Sequence, residues 1–333
     1  GVMAMAYQTG TSSDINDLLD KFRLFASSLG WSVNRWGTAG SGRELCISRS
    51  GAFFNFRSYA NESALINGSA GIKTGLSLNG SDGYDAGLAW DRQPGYPQRF
   101  TPGATDQAVV HFPLVTTVGP FPAYHFFSVD PKVVYAEVEI ATGSFLRFGC
   151  GSLDLFNPAA EGGGRFCYAT CGDHISATVG YNWPSDSVDS SGQLEFYPFR
   201  GNGSSTASGR GFGSMVRVNI NSINNWAGSG GYLTDASGLR LACSGGDSYN
   251  KQLSNLSPNP LNGVAIRCPN VVGVYSGAYN YPVGTIPGMR HMDMTNYLPG
   301  DEFNFGGDTW KVFPWYQKGG LTLERGIAYK KVA

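Results

Sequence analysis

Histidine is the side chain that most often serves as a general base, and the chain has four of them. Three of these, His125, His174 and His291, are candidates for the base of a Ser/His/Asp triad. However, the Gly-x-Ser-x-Gly motif of many serine hydrolases does not occur, and Gly213-Ser214 lies in a strand-like segment. His125 stands between aromatic residues, which is typical of a packed core histidine, and we interpret His291 as a structural or interface contact. The sequence therefore predicts no catalytic residue.

Carboxylate side chains offer two further kinds of chemistry, glycoside hydrolysis and calcium binding. Glycosidases need two carboxylates, but a chain with 25 acidic residues always contains such pairs, so their presence decides nothing. Glu137 and Glu139 alternate along a strand-like segment and share one face, where we expect them to meet solvent or a cationic partner. The segments Asp82–Asp85 and Asp186–Asp189 carry oxygen ligands without the full spacing of a calcium loop. Solvated turns are the better interpretation of both segments.

Six cysteines are present, an even number that allows up to three disulfides. The start of the chain shows neither the basic nor the apolar segment of a secretory signal, which favours free, buried thiols. Cys243 and Cys268 flank a polar loop and are the pair that we most expect to form a disulfide. Cys167, Cys171 and His174 have a spacing that loosely resembles a metal site, but the sequence lacks a matching second pair. We predict neither a metal nor a cofactor.

Aromatic residues crowd the C-terminal part of the chain, where four of them fall within seven positions. Such a group can fill the core of a terminal sheet, anchor a subunit interface, or stack against a sugar. We favour the core and interface roles and keep the sugar platform as an alternative. With two tryptophans near the N-terminus, the candidate packing or interface anchors are Trp31, Trp36, Trp310, Phe313, Trp315 and Tyr316. Aromatic residues on Gly-, Asn- and Ser-rich loops keep receptor or glycan binding open; they are Trp90, Tyr96, Trp183 and Trp226.

The composition limits the classes of protein and partner. A chain of 333 residues suits one large or two ordinary domains, and its 47 glycines, with abundant Ser and Asn, predict many turns and short strands. The formal net charge of −1 gives no electrostatic footprint for nucleic acid or an anionic membrane. No apolar run approaches the roughly 18 residues of a membrane-spanning helix. We expect neither nucleic acid nor a membrane as a partner.

One amphipathic helix is predicted over residues 11–30. Its apolar residues recur at helical spacing, Ser12 or Ser13 is the expected N-cap, and Gly30 is a natural stop. Three strand-like segments follow the helix and predict antiparallel strands. The first two, residues 30–36 and 44–48, alternate, and the third, residues 52–59, is rich in aromatic residues. Residues 6–60 are therefore predicted to form an α+β unit in which the helix packs on a sheet.

The clearest strand signals lie in residues 123–170, which predict a β-meander. Asp130-Pro131 presets a turn between two segments that are rich in aromatic and β-branched residues. A second turn is predicted at residues 141–143, where Gly143 can adopt a positive φ and close a hairpin. A sheet of this composition is expected to pack against another layer, including copies of itself.

These signals predict an α+β fold class with predominantly antiparallel β-structure. Its first part is the helix-plus-strands unit of residues 6–60. A β-rich central part at 61–171 contains the meander and begins with a long, turn-rich excursion. A β-rich Gly/Ser/Asn insertion or second domain is expected at 172–288, and short C-terminal strands at 289–333 are expected to rejoin the main sheet.

Three segments of the chain carry a recognisable arrangement of motifs. They are AYQTGTSSDINDLLDKFRLFASSLGW near the N-terminus, AYHFFSVDPKVVYAEVEIATGSFLRFGCGSL with GGRFCYAT in the centre, and GDTWKVFPWYQKGG with RGIAYKKV at the end. A helix ending in Gly-Trp, a central meander and a Trp-x-x-Phe-Pro block in this order resemble structural proteins of tailed-phage virions. The resemblance covers residues 6–60, 123–170 and 288–332. It implies an oligomeric tail, neck or baseplate component without enzymatic activity, and it supplies no catalytic or metal residues.

The function predicted from the sequence is therefore that of a phage virion structural protein in the neck (terminator or collar), tail or baseplate. Its expected partners are copies of itself in a homo-oligomer and other virion proteins, and its expected location is the virion, assembled in the host cytoplasm. An alternative is a receptor- or glycan-binding module of a tail tip or fibre, which would bind a host surface glycan through residues 172–288. An envelope-degrading hydrolase is a weaker alternative, because no motif supports it.

Overall fold

The computed structural model describes a long N-terminal part of the chain and several shorter segments after it. The described residues are 6–66, 69–97, 109–114, 118–157, 163–169, 175–176, 180–181, 214–220, 223–228, 240–243, 261, 263, 265, 267–276, 279–314 and 326–331. Within these ranges the protein has one α-helix and 21 strands. The predicted fold class, α+β with predominantly antiparallel β-structure, is confirmed.

The elements of the first half of the chain are β1 (Ala6–Ser12), α1 (Ile15–Ser28), β2 (Ser32–Ala39), β3 (Gly42–Arg49), β4 (Ala52–Ile66), β5 (Ser69–Ser81), β6 (Val110–Pro113), β7 (Phe121–Ser128), β8 (Val133–Ala141), β9 (Ser144–Ser152), β10 (Asp154–Leu155) and β11 (Arg165–Ala169). Those of the second half are β12 (Ile175–Ser176), β13 (Gly180–Tyr181), β14 (Ser214–Ile220), β15 (Ile223–Gly228), β16 (Arg240–Cys243), β17 (Arg267–Ser276), β18 (Tyr279–Met292), β19 (Glu302–Phe305), β20 (Asp308–Pro314) and β21 (Gly326–Lys331).

Most of these strands belong to three antiparallel sheets. The N-terminal sheet has the sequential order β2-β3-β4-β5-β6, and the central sheet has the order β1-β7-β8-β9-β11-β14-β15. The C-terminal sheet has the order β16-β17-β18-β21-β20-β19, with β10 paired to β18, while β12 and β13 form a separate two-stranded pair. The predicted meander is the β7-β8-β9 segment at the middle of the central sheet.

The central sheet is covered on both faces, so the three sheets of the described residues form three stacked layers. Because successive side chains of a strand point to opposite faces, neighbouring residues belong to different cores. Phe126 packs in the core shared with α1 and the N-terminal sheet, whereas Phe127 packs in the core shared with the C-terminal sheet. Phe22 of α1 lies 5.5 Å from the ring of Phe56 in the N-terminal sheet and 5.5 Å from that of Phe126. The helix therefore lies between the first two layers.

The N-cap of the helix lies one residue beyond Ser13, the later of the two serines predicted as caps. Asp14 is the N-cap, and its Oδ1 accepts hydrogen bonds from the backbone N–H groups of Asn16 and Asp17 at 2.8 and 2.9 Å. Ser12 instead donates its hydroxyl to the Asp17 carboxylate at 2.9 Å. The helix ends before Gly30, whose φ of +86° suits glycine, as predicted. It is 14 residues long, and no helix among the described residues is long and apolar enough to cross a membrane.

Strands and sheets cross the segment boundaries that were expected from the sequence. The long hairpin of β4 and β5 runs through residue 61, where a turn-rich excursion was expected. The described strands at 214–228 extend the central sheet, and those between 240 and 288 belong to the C-terminal sheet, so they are parts of the main body. β18 crosses the expected boundary at residue 288 without interruption and pairs with strands from both sides of it. Such long-range pairing cannot be read from local turn signals.

The disulfide expected between Cys243 and Cys268 is not formed. Cys268 is a free thiol in the structure. Cys243 lies opposite Val272, four positions along β17 from Cys268. Four residues of an extended strand span about 13 Å, which is well beyond the Cα separation that a disulfide bridges. Cys46, Cys150 and Cys167 are also free and are buried, in agreement with the general expectation for this chain.

Candidate interaction surface

The aromatic anchors predicted from the sequence do not form one site. Trp31 is buried between α1 and the N-terminal sheet. Trp310 and Phe313 are three positions apart on β20 and therefore point to opposite faces of the C-terminal sheet, where they belong to different cores. Trp315 and Tyr316 lie outside the described residues. The proposed core role thus applies to three of the anchors, in three different cores.

Trp36, on β2, is half-buried, whereas the other predicted anchors that the structure describes are buried. The guanidinium carbons of Arg23 and Arg43 lie 5.0 and 5.8 Å from the centre of its ring. Arg23 also forms an ion pair with Asp20, at 2.6 Å between Nη2 and Oδ1. The charge of this stacked arginine is therefore neutralised within the same chain.

Trp310 does not offer a platform for a sugar. Its side chain is 5% exposed, and its indole N–H donates to the backbone carbonyl of Phe305 at 3.3 Å. A sugar stacks on an open aromatic face, and the buried ring has none to present. The indole instead supports the strand pair β19–β20 from within.

The predicted triad histidines are packed residues where the structure describes them. The imidazole Nδ1 of His125 lies 2.8 Å from the hydroxyl of Tyr7, and its ring lies 5.0 Å from that of Phe313. Burial lowers the pKa of His125 to about 4. His291 is buried on the face of the C-terminal sheet that meets the central sheet, and His174 lies outside the described residues.

The fourth histidine, His111, makes the serine–histidine contact that sequence analysis did not find. Its Nδ1 lies 2.8 Å from the hydroxyl of Ser77 on the neighbouring strand. Burial, reinforced by the charge of Lys73, lowers the pKa of His111 well below its usual value. Both side chains are fully buried, so the hydroxyl does not face solvent from which a substrate would come. We interpret the pair as a structural contact within the N-terminal sheet.

The predicted solvated turn at Asp82 instead connects two sheets. The carboxylate of Asp82 lies 3.1 Å from Nη1 of Arg165 and 3.1 Å from Nε of Arg217, both in the central sheet. Asp85 follows the prediction, since it accepts the backbone N–H of Gly87 in an exposed turn. Among the residues that the structure describes, no group of three metal-ligating side chains could hold an ion. Residues 186–189 lie outside that part of the chain.

Between the central and C-terminal sheets lies a buried charged group that we call the inner cluster. Its members are Glu137, Arg147, Tyr168 and Tyr329. Glu137 and Arg147 stand directly opposite each other on β8 and β9, with 2.6 Å between Nε and Oε1. The cationic partner that the sequence predicted for Glu137 is thus provided by the same hairpin, in the interior and away from solvent.

Hydrogen bonds tie the inner cluster to both sheets. The Tyr329 hydroxyl donates to Oε1 of Glu137 at 2.9 Å, and Nη2 of Arg147 donates to the carbonyl of Pro314 at 2.6 Å. The other carboxylate oxygen, Oε2, is buried without a hydrogen-bond partner. Burial raises the pKa of the Glu137 carboxyl, against the opposing effect of Arg147. The arginine charge is therefore compensated locally, where water has no access.

The opposite face of the C-terminal sheet carries a second arginine–aromatic group, which we call the outer cluster. It consists of Arg267, Arg290, Phe303, Phe305 and Trp310. The pairing of β17, β18, β20 and β21 places Arg267 and Arg290 on the same face as the core around Trp310. Phe303 lies opposite Trp310 on the β19–β20 hairpin, and Phe305 follows on the same face.

Guanidinium groups and rings alternate across the outer cluster. The guanidinium carbon of Arg267 lies 4.2 Å from the centre of the Phe303 ring and 5.2 Å from that of Phe305. The guanidinium carbon of Arg290 lies 5.0 Å from the centre of the Phe305 ring and 5.2 Å from that of Trp310. These distances are within the range of cation–π attraction. The Phe305 ring is thus shared by two cations.

Two hydrogen bonds fix the arginines in this arrangement without neutralising them. Nη2 of Arg267 donates to the hydroxyl of Tyr297 at 3.0 Å, and Nη1 of Arg290 donates to the carbonyl of Arg267 at 3.1 Å. The Nε atom of each arginine is buried and lacks a hydrogen-bond partner. Within the described parts of the chain, neither guanidinium forms an ion pair with a carboxylate.

Three acidic side chains that lie between Arg290 and Trp310 in sequence have other partners. Asp293 accepts the backbone N–H of Thr295, and Asp301 accepts that of Leu298. Asp308 pairs with Lys330 at 2.7 Å. Within the described residues, the two arginine charges therefore have no countercharge, in contrast to the arginine of the inner cluster.

The outer cluster is accessible at one end. Phe305 is 38% exposed and Arg267 and Arg290 are partly exposed, while the neighbouring loop presents Leu298 at 68%. Arginine and aromatic residues are enriched at the energetically important centres of protein interfaces. An exposed aromatic ring beside two guanidinium groups that have no carboxylate partner in the described parts of the chain has the composition of such a centre.

The outer cluster was not predicted from the sequence, although the sequence indicated the placement of two of its rings. The alternation of Phe303 and Phe305 in a short predicted strand already placed both rings on one face. Arg267 is remote in sequence, however, and two register irregularities between β17 and β18 decide which residues lie beside it. Without the pairing, the two arginines could not be assigned to these rings.

No protein-family model matches the chain, and no curated protein matches it in sequence. The functional interpretation therefore rests on the geometry of the described residues and on the sequence motifs.

Proposed function

We propose that this protein is a structural component of a tailed-phage virion and acts through contacts with copies of itself and with other virion proteins. A place in the neck, tail or baseplate follows from the resemblance of its sequence motifs. In this proposal the protein is not an enzyme, and it performs its function by burying surface between subunits.

The observation that supports a contact function is the outer cluster. It combines exposed aromatic surface with two guanidinium groups that have no carboxylate partner among the described residues. A partner that covered this surface would bury the ring of Phe305 and supply the missing countercharge. Both effects favour association, the first through apolar burial and the second through charge-assisted hydrogen bonds.

The polar pairs of the interior are consistent with this proposal. Ser77 with His111, and Glu137 with Arg147, are the pairs whose chemistry most resembles that of an active site, and all four residues are fully buried. They have the contacts expected of groups that hold neighbouring strands and sheets together.

The oligomeric mass of the purified full chain tests the proposal. Light scattering over a concentration series is expected to give one closed assembly with a fixed number of subunits, such as three, six or twelve, as expected for a virion component with ring symmetry. Electron microscopy of the same samples should show rings. A monomer at every concentration that also fails to enter phage particles would contradict the proposal.

A further inference from the structure

We propose that the outer cluster is the docking site for an acidic segment of a protein partner, with a carboxylate bound by Arg267 and Arg290. This inference rests on the proposed function, because it assigns the chemistry of one subunit contact. The proposed ligand is a protein segment in which an acidic side chain stands beside apolar side chains.

The two arginines of the outer cluster repel each other electrostatically. The guanidinium carbons of Arg267 and Arg290 both lie within 5.2 Å of the centre of the Phe305 ring, so two positive charges flank a single side chain. Two positive charges beside one ring repel each other, and the quadrupole of the neutral ring compensates them only in part. A carboxylate in contact with both guanidinium groups would relieve the repulsion and gain attraction from both.

The two arginines also carry unused hydrogen-bond donors. A guanidinium group has five N–H donors, and the two hydrogen bonds to Tyr297 and the Arg267 carbonyl use few of those available. The remaining terminal N–H groups of Arg267 and Arg290 have no acceptor among the described residues. Because a guanidinium group matches a carboxylate in a two-bond geometry, such donors favour an acidic ligand over a neutral one.

The inner cluster shows how such an arginine is compensated within the chain. There, Arg147 has a carboxylate, Glu137, directly opposite on the neighbouring strand, and Tyr329 and Tyr168 complete the group. The outer cluster repeats the arginines and the rings but lacks the carboxylate among the described residues. A carboxylate from a partner would neutralise the arginines of the outer cluster in the assembly, as Glu137 neutralises Arg147 within the chain.

The exposed apolar neighbours favour a protein segment over an acidic sugar. The rings of Phe303 and Phe305 already have guanidinium groups near them, and Trp310 is buried, so open aromatic faces for sugar stacking are scarce. Leu298 and the exposed part of Phe305 are apolar surfaces that an apolar side chain would cover. The preferred ligand therefore has carboxylate and apolar groups side by side.

The test uses the full chain and two fluorescein-labelled, C-terminally amidated peptides as probes. The acidic probe has the sequence Leu-Glu-Phe-Asp-Leu, and the neutral probe replaces Glu and Asp by Gln and Asn. Binding is measured by fluorescence anisotropy to the native protein, to the double variant Arg267→Gln/Arg290→Gln, and to the control Arg23→Gln. Arg23 is a matched control because it stacks on Trp36 but already has Asp20 as its ion-pair partner.

The native protein and the control are expected to bind the acidic probe roughly tenfold or more tightly than the neutral probe, and the double variant is expected to lose this preference. The preference should also shrink at high salt, because the ion pairs between the arginines and the probe's carboxylates would lie near the surface. Equal binding of both peptides, an unchanged preference in the double variant, or no binding would overturn the inference. So would tighter binding of an acidic oligosaccharide, such as a hyaluronan fragment, than of the acidic peptide.

Two further measurements separate the possible failures. The thermal unfolding of the double variant should match that of the native protein, which shows that a lost preference does not reflect unfolding. The oligomeric mass is measured on the same samples. A native protein that forms closed assemblies but is indifferent to the acidic probe would refute the docking site alone, whereas a native monomer that never enters particles would refute the proposed function.

Discussion

The inner and outer clusters place the same kinds of side chain, arginine beside aromatic rings, on the two sides of the C-terminal sheet. In the inner cluster, Arg147 is buried and has Glu137 opposite it. In the outer cluster, two partly exposed arginines share the ring of Phe305 and have no carboxylate partner in the described residues. The clusters differ in whether the countercharge is present within the chain.

This difference follows from the cost of burying charge. A charged group that is shut off from water must be paired, because its lost hydration is otherwise uncompensated. A guanidinium group at the surface keeps part of its hydration and can remain unpaired until a partner arrives. The inner cluster is therefore expected to determine stability, and the outer cluster to determine association. The predictions below test this division.

The largest effect is expected from Arg147→Met. The substitution removes the cation but leaves the Glu137 carboxylate buried, and breaking such a pair costs about 3–5 kcal/mol. Urea denaturation at neutral pH measures the loss in the free energy of unfolding. The matched change Arg267→Met in the outer cluster should cost less than about 1 kcal/mol, because it leaves no carboxylate unpaired among the residues that the structure describes.

The pH dependence sharpens this prediction. Burial already raises the pKa of Glu137, and removal of Arg147 should raise it further. A protonated carboxyl is cheaper to bury, so the folded state of Arg147→Met gains a proton as the pH falls, and the deficit relative to the native protein should shrink. Similar losses for Arg147→Met and Arg267→Met, or a deficit that does not change with pH, would contradict the division between the clusters.

The second effect concerns His125, which faces the same sheet interface as the inner cluster. Burial, together with the charge of Lys311, lowers its pKa to about 4, against about 6.5 in an unfolded chain. The unfolded state therefore binds the proton first, and the free energy of unfolding should fall by about 2–3 kcal/mol as the pH drops from 6.5 to 4. Denaturation curves at several pH values measure this slope.

His125→Gln is the matched variant for this slope. It keeps a polar side chain near the Tyr7 hydroxyl but does not titrate, so its stability should fall less steeply between pH 6.5 and 4. His111 and Glu137 titrate in both proteins, and the difference between the two curves isolates the contribution of His125. Parallel curves would show that His125 is not buried in its neutral form.

The third effect is expected from Tyr329→Phe, which removes one hydroxyl from the inner cluster. The Glu137 carboxylate loses a hydrogen bond of 2.9 Å, and Tyr168 loses its neighbour at 3.3 Å. Hydrogen bonds to charged groups contribute about 1.5–3 kcal/mol. Tyr135→Phe is the control, since its hydroxyl donates to the neutral Pro287 carbonyl and should cost about 1 kcal/mol. Equal losses would indicate that the carboxylate does not strengthen the bond.

The local elements could be predicted from the sequence because they depend on neighbouring residues. The helical spacing of apolar residues predicted α1, and the turn at Gly143, with a φ of +73°, closes the β8–β9 hairpin as predicted. The turn alone would place Phe148 opposite Glu137, but an irregularity between Glu139 and Ala141 shifts the register by one residue and sets Arg147 there. The pair could therefore not be read from the turn, and the burial of its face depends on the C-terminal sheet, which comes from remote strands.

The arrangement of the sheets could not be predicted in the same way. The predicted insertion at 172–288 contributes strands to two different sheets in the described parts, because pairing joins segments that are far apart in sequence. Trp310 and Phe313 were predicted as one aromatic group, yet the period of a strand separates them into two cores. The outer cluster depends on a register with two irregularities, and local propensity carries no information about these.

The smallest effect on stability, and a large one on association, is expected from Phe305→Ser. Phe305 is partly exposed, so the substitution should change the free energy of unfolding by no more than about 1 kcal/mol. Phe313→Ala, on the next strand but on the buried side of the sheet, should cost about 3–5 kcal/mol. Because the Phe305 ring holds both arginines, its loss should also reduce the oligomeric mass measured by light scattering at a given concentration. A Phe305→Ser protein that is strongly destabilised, or that assembles like the native chain, would place the association surface elsewhere on the molecule.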